Sequence, residues 1–289
     1  MGKFRLRGRK RRAREENAAR VPVRALVPNL VTSIAACAGI TSISLSSEGR
    51  FKEAIWALLV ACVCDGIDGR IARLLKASSK LGAELDSLAD FVNFGVAPAM
   101  FLYFWHTGGP SHIIDGAPVS QLVIRMVLGA SLFYAMCDCF RLARFNTMLE
   151  QETAPYWKHF FTGVPAPGGC WMVLTPALLS MSLAENKCMA LQTLLRNPWF
   201  GMASLLFVGM LMASRLPTIS LKALHISRPA MPFFMAGALL LIGLLVAYQW
   251  LAVGVLGMAY VLTVPVTCAI FLNLRSKHER GLTSTLNKS

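Results

Sequence analysis

Four aspartates crowd one stretch of otherwise apolar and small residues: CDGIDGRIARLLKASSKLGAELDSLAD, residues 64–90, holds Asp65, Asp68, Asp86 and Asp90. The first two are three residues apart and the last two four apart, spacings that on a helix put both members of a pair on one face. An ionised carboxylate at membrane depth is costly and usually faces a cavity with a partner. Four in one stretch call for a cation. Hard oxygen donors suit Mg²⁺ or Mn²⁺ far better than zinc, which favours His and Cys. Gly66, Gly69 and Gly82 lie beside the acids. Glycine weakens a helix but lets another backbone or a ligand come close. Arg70 and Arg73 add fixed positive charge suited to phosphate oxygens. Together these residue types point to a phosphate-bearing substrate held with a divalent ion.

The elements that must position them are membrane helices. Of the 289 residues, 55% are hydrophobic and only 15% charged, and long apolar runs recur from residue 26 onward. A span needs roughly 20 mostly apolar residues. Punctuation by Gly, Pro and charge predicts eight spans, at 26–46, 52–74, 82–106, 119–146, 165–184, 197–214, 230–249 and 251–273. The fold class expected is therefore an all-α, polytopic membrane helix bundle. Residues 1–25 read as a basic tail, 26–273 as one membrane domain and 274–289 as a C-terminal tail. If the second and third spans form an antiparallel hairpin turning near Ala77 to Lys80, the two aspartate pairs converge.

Charge asymmetry sets the expected orientation. With the N-terminus cytoplasmic, the inside connections carry Arg70, Arg73, Lys76 and Lys80, then Arg141, Arg144 and Lys158, then Arg215, Lys222 and Arg228, then Arg275, Lys277 and Arg280. The connection HTGGPSHIIDGAPV, His106 to Val119, has neither Lys nor Arg; Lys187 and Arg196 are exceptions on the outside. This pattern predicts both termini inside and the aspartates at the cytoplasmic face. The net charge of +14 is concentrated in the opening MGKFRLRGRKRRAREENAAR. Next to a span, such a tail reads as a topology determinant and a contact for anionic headgroups, not as a nucleic-acid site.

Other residue types offer less chemistry. The eight cysteines lie mostly within apolar runs, and neither Cys62-x-Cys64 nor Cys137-x-Cys139 has zinc-site spacing, so they read as helix-packing residues. His106, His112, His159, His225 and His278 match no metal motif. The aromatic run FLYFW, Phe101 to Trp105, reads as an interfacial belt.

The order Asp65-Gly66-x-Asp68-Gly69-Arg70-x-Ala72-Arg73, then eight residues, Gly82, three residues, Asp86, three residues and Asp90 resembles the signature of the CDP-alcohol phosphotransferase family. DSLADFVNFGVAPA (86–99), DCFRLARFN (138–146), FTGVPAPGG (161–169), SRLPTISLK (214–222) and VPNLVT (27–32) resemble its integral-membrane, serine-using branch, the phosphatidylserine synthases. The likeness covers most of residues 27–222. It implies a six-helix core with two helices appended and transfer of a phosphatidyl group from CDP-diacylglycerol to the hydroxyl of L-serine, releasing CMP. It also implies Mg²⁺ or Mn²⁺ as cofactor, a bacterial inner-membrane location with the site facing the cytoplasm, contact with membrane lipids, and a homodimer. By the same likeness Asp65, Asp68 and Asp86 are metal ligands, while Asp90 takes the serine proton and also touches a second metal. Gly66, Gly69, Arg73 and Asp65 contact the CDP group, with Asn29 and Thr32 near the nucleotide.

For serine, a bidentate guanidinium is the natural partner of the carboxylate. Arg141 and Arg144 stand three apart at the end of the fourth span, with Asn146 and Lys222 at the same level. Asn93, one turn past Asp90, could orient it. Three other readings compete. The acids could form a structural ion-pair network with Arg70, Arg73, Arg141 and Arg144. The acceptor could be glycerol 3-phosphate, choline or an inositol phosphate. Or the chain could be an ion-coupled transporter, for which acids spread through several membrane depths are expected.

Overall fold

The computed structural model describes residues 23–75, 79–114, 116–148, 160–185, 189–214, 217–219, 237, 248, 250–263 and 265–267. α1 (Val23–Ser47) and α2 (Phe51–Leu74) form the first hairpin, turning through Gly49 at φ 79°. α3 (Lys80–Asp90) starts at Ser79, whose hydroxyl accepts from the Gly82 amide at 3.0 Å, a side-chain cap for an otherwise orphaned N–H. It runs without a break through a π-helical turn, Phe91–Val96, into α4 (Ala97–Thr107), which stops at Gly108 in the left-handed region. A short ribbon of β1 (Ile113–Ile114) and β2 (Ala117–Pro118) leads to α5 (Gln121–Met148), and α6 (Ala166–Glu185) follows. α7 (Met189–Arg196) and α8 (Pro198–Ala213) meet at a 58° bend, and α9 is Trp250–Thr267. β3 (Phe160–Thr162) and β4 (Pro217–Ile219) pair antiparallel, tying the chain before α6 to the chain after α8.

Among the described residues, five helices are long and apolar enough to cross a membrane, or six if the bent α7–α8 pair is one span. The chain is thus a polytopic helical membrane protein. α2 is not among the five, because Asp65, Asp68, Arg70 and Arg73 charge its last third. The expected span at 230–249 lies almost wholly outside the described residues, as do residues 1–22, the tail at 274–289, and Lys222.

α5 shows how one helix divides its faces. Val127, Ala130, Tyr134, Cys137 and Asp138 are buried, whereas Leu122, Leu128, Leu132, Phe133, Met136 and Phe140 are exposed. An apolar exposed face suits a lipid solvent and leaves the helix contacts to smaller or functional side chains. The FLYFW run departs from the belt expected of it. Phe101 and Trp105 are buried, stacked 6.2 Å apart, and each takes Phe51 edge-on. They form a core plug between α2 and α4.

The convergence of the aspartates also differs from a simple hairpin. α3 packs chiefly on α1 and has few contacts with α2. α1 therefore lies between the two acid-bearing helices and contributes to the site.

Candidate active site

The site begins with Asp68, buried near the end of α2. Its Oδ2 accepts from Thr32 Oγ1 of α1 at 2.6 Å, and its Oδ1 accepts from the Gly69 amide at 2.5 Å. Two donors on one carboxylate fix its orientation. One oxygen each from Asp65, Asp68 and Asp86 lies within 4.8 Å of the others. Oxygens on opposite sides of an Mg²⁺ ion are ~4.2 Å apart, so a small inward turn of these side chains suffices to hold one. The donor set is all oxygen and anionic, which fits a hard divalent cation and fits zinc poorly.

Asp68 and Asp86 also line an open pocket of about 230 Å³ together with Pro28, Asn29, Thr32, Gly69, Ala72, Arg73, Ser79, Gly82 and Ala83. Asn29, Thr32, Gly69 and Arg73, all expected near a nucleotide, thus share one cleft with two acids. The three glycines divide. A Cβ built on Gly66 or Gly69 meets nothing within 4 Å, so those two face open space rather than another helix. At Gly82 a Cβ would lie 2.9 Å from Asn29 Oδ1 and 3.1 Å from Ser79 Oγ, so this glycine permits the close approach of α3 to α1.

Asp90 closes α3 immediately before the π-turn, near enough to Asp65 and Asp86 to feel their charge, and one of its oxygens is buried without a hydrogen-bond partner. The fourth aspartate thus borders the group formed by the other three. None of the four enters an ion pair with an arginine among the described residues. π-turns are rare and recur at functional positions. Here Tyr134 of α5 donates to the Phe94 carbonyl at 2.9 Å, satisfying a backbone acceptor within the turn. Asn93 is buried against Gly39 of α1, where any Cβ would overlap its amide oxygen, and its amide makes no hydrogen bond. The side chain of Asn93 thus packs on α1.

The candidate acceptor residues separate. Arg141 is 14% exposed and lies in the field of Asp138 first and Asp90 second. Arg144 Nη1 donates to the Ser214 carbonyl at 3.2 Å, and Asn146 Nδ2 donates to Ser87 Oγ at 3.0 Å. Those two bind the protein itself: Arg144 ties α5 to the end of α8, and Asn146 ties it to α3 beside Asp86. Lys222 lies outside the described residues.

Two residues here had no role in the sequence reading. Asp138 is an acid inside an apolar helix, the signal that marked the other four aspartates. Tyr260 of α9 places its hydroxyl against Gly168, where a Cβ would lie 2.6 Å from it, and its ring is near enough to act on Arg141. No local pattern marks Tyr260, since only packing brings α9 to this place.

Comparison with known proteins agrees with this geometry. The description CDP-alcohol phosphatidyltransferase belongs to a family whose sequence profile matches residues 25–269. A CDP-diacylglycerol–serine O-phosphatidyltransferase of Mycobacterium leprae is 34% identical over 241 residues, 83% of this chain and 73% of that protein. Proteins of the same name from Mycobacterium bovis and Helicobacter pylori J99 are 39% identical over 162 residues and 34% over 191. These alignments cover 56% and 66% of this chain and 52% and 70% of the two relatives. The chain is an enzyme and belongs to the CDP-alcohol phosphatidyltransferase family.

Proposed function

We propose that this enzyme transfers a phosphatidyl group from CDP-diacylglycerol to the hydroxyl of L-serine, giving phosphatidylserine and CMP. The observation that carries the reading is the meeting of Asp65, Asp68 and Asp86 oxygens within 4.8 Å, beside Asp90 and a cleft holding Arg73, Gly69 and Asn29. The serine oxygen forms a bond to the phosphorus that bears diacylglycerol, and the bond from that phosphorus to the CMP oxygen breaks. Asp90 accepts the serine proton, and CMP leaves with the electron pair. No covalent enzyme intermediate is required.

Asp65, Asp68 and Asp86 would hold Mg²⁺ or Mn²⁺, with Asp90 at the edge of the same site. When bound, such an ion neutralises charge on the diphosphate, the main requirement of phosphoryl transfer. Arg73 and the open faces of Gly66 and Gly69 receive the CDP group, with Asn29 lining the same cleft and Thr32 acting through Asp68. Arg141, near Asp90, meets the serine carboxylate. The names of the relatives support serine over glycerol 3-phosphate, choline or an inositol phosphate. The acids' clustering at one place supports an enzyme over a transporter. The site faces the cytoplasm of a bacterial inner membrane, with eight spans and both termini inside.

Purified protein, CDP-diacylglycerol and a panel of alcohols test this by CMP release. Serine should be the productive acceptor, and chelation of divalent ions should stop release reversibly. Release with choline or glycerol 3-phosphate and none with serine defeats the choice of acceptor.

A further inference from the structure

Asp138 is a buried carboxylate that the chemistry above does not use. Its side chain is 0% exposed, and neither oxygen makes a hydrogen bond. Among the described residues the nearest cation is its own helix neighbour, with Arg141 Nη1 3.9 Å from Oδ1. A buried carboxylate needs a compensating cation, and removing one partner of such a pair leaves the other uncompensated. On its other side Asp138 abuts the π-turn that follows Asp90. A Cβ on Gly95 would come to 2.8 Å from Oδ2 and 3.3 Å from the Asp138 Cβ. Asp138 is therefore sealed behind the site, while Arg141, 14% exposed, lies near enough to Asp90 to feel its charge.

We propose that Asp138 is a positioning residue: without touching substrate, it holds the Arg141 guanidinium beside Asp90, where that group takes the carboxylate of the acceptor. The proposal rests on the acceptor reading above and assigns the carboxylate's recognition to a pair rather than to one arginine. A planar fork binds well only when its plane is fixed. The charge of Asp138, 3.9 Å from Nη1 and one turn away on α5, draws the guanidinium to one side and restrains it.

The test compares L-serine with serinol, which replaces the carboxylate by a hydroxymethyl group, using whole protein in detergent with CDP-diacylglycerol. Asp138→Asn should raise KM for serine roughly ten- to a hundredfold, the range for outer partners that orient a binding group. The donor KM should stay within about twofold, and the preference for serine over serinol should fall by the same factor as serine affinity. Asp138→Glu should recover part of that preference, and Arg141→Lys combined with Asp138→Asn should be no worse than Arg141→Lys alone. An unchanged serine KM, or equal losses for serine and serinol, overturns the proposal. If Asp138→Asn does not accumulate, Asp138→Glu decides: it must change the serine KM and spare the donor KM. A wild-type enzyme inactive with serine defeats the acceptor reading instead. Asp138→Asn must then raise KM for whichever anionic acceptor releases CMP, and an unchanged value overturns the positioning role.

Discussion

Thr32 and Asp68, 36 positions apart in sequence, are joined by a 2.6 Å hydrogen bond from the α1 hydroxyl to the α2 carboxylate. The same hydroxyl lies 3.1 Å from the Pro28 carbonyl of its own helix, the longer alternative for its single proton. The first helix thus sets the direction of an acid on the second. Thr32 is expected to act on the metal through Asp68.

Thr32→Val keeps the β-branched shape and removes the donor. The divalent-ion concentration for half-maximal activity should rise about ten- to a hundredfold, as for other outer partners of metal ligands. Thr32→Ser, which retains the hydroxyl, should stay near the parent. Activity titrated against Mg²⁺ and Mn²⁺ checks this, and a Thr32→Val curve that overlies the parent's rejects the coupling.

Asp90→Asn tests the proposed base. The amide cannot take the serine proton, so kcat should drop by roughly 10²–10⁴, the usual contribution of a positioned acid or base. Donor binding should persist, because the pocket is lined by other residues. CMP binding by calorimetry, beside CMP release, separates the two. Full turnover in the variant removes Asp90 from this role.

Much of the site was legible because its residues are close in sequence and their spacing is helical. Asp65, Asp68, Asp86 and Asp90 could be placed on shared faces by counting alone. What stayed hidden depends on which helix packs where. Counting could not show that α3 lies on α1, which makes Thr32 an orienting donor and has Gly82 pack against Asn29 as well as line the cleft. Nor could it show that Phe101 and Trp105 turn inward onto Phe51, since an aromatic run has the same composition in a belt and in a core. Arg141 and Arg144 look equivalent in sequence, and their partners, Asp138 for the first and the Ser214 carbonyl for the second, separate them.

The three glycines should respond differently to alanine. Gly66 and Gly69 have room for a methyl group. Gly66→Ala and Gly69→Ala should keep or slightly raise thermal stability, because alanine favours helix by about 1 kcal/mol. Any defect should appear as a higher KM for CDP-diacylglycerol. Gly82→Ala must instead push Asn29 or unseat the Ser79 cap, and a lost cap costs about 1 kcal/mol. It should lower the thermal midpoint. Equal stability losses at all three positions contradict the open face assigned to Gly66 and Gly69.

Asn146 and Arg141 offer another contrast. Asn146→Ala breaks one exposed hydrogen bond to Ser87, worth about 0.5–1.5 kcal/mol. Serine KM should change little, because the amide is engaged with α3. Arg141→Ala should raise serine KM about tenfold or more, since a charged contact is worth ~1.5–3 kcal/mol. Steady-state kinetics with serine varied at saturating donor checks the order. A larger effect at Asn146 than at Arg141 reverses the assignment.

Tyr134→Phe probes the π-turn behind Asp90. The ring is wholly buried and its hydroxyl serves the Phe94 carbonyl. Phenylalanine fills the same space but leaves that carbonyl without its donor, a loss of about 1–3 kcal/mol for a buried acceptor. The wide turn is the part of the α3–α4 helix where the regular ladder is interrupted, so the loss falls where the helix is weakest. Asp90 stands at the start of that turn, and Asn93 and Gly95 lie within it. Loosening it should spread Asp90 over more orientations and lower kcat, while Asp68 and the nucleotide cleft keep the donor KM. The expected pairing is a reduced thermal midpoint with reduced kcat and unchanged CDP-diacylglycerol KM. A variant that loses stability with full kcat shows that the turn supports the fold alone.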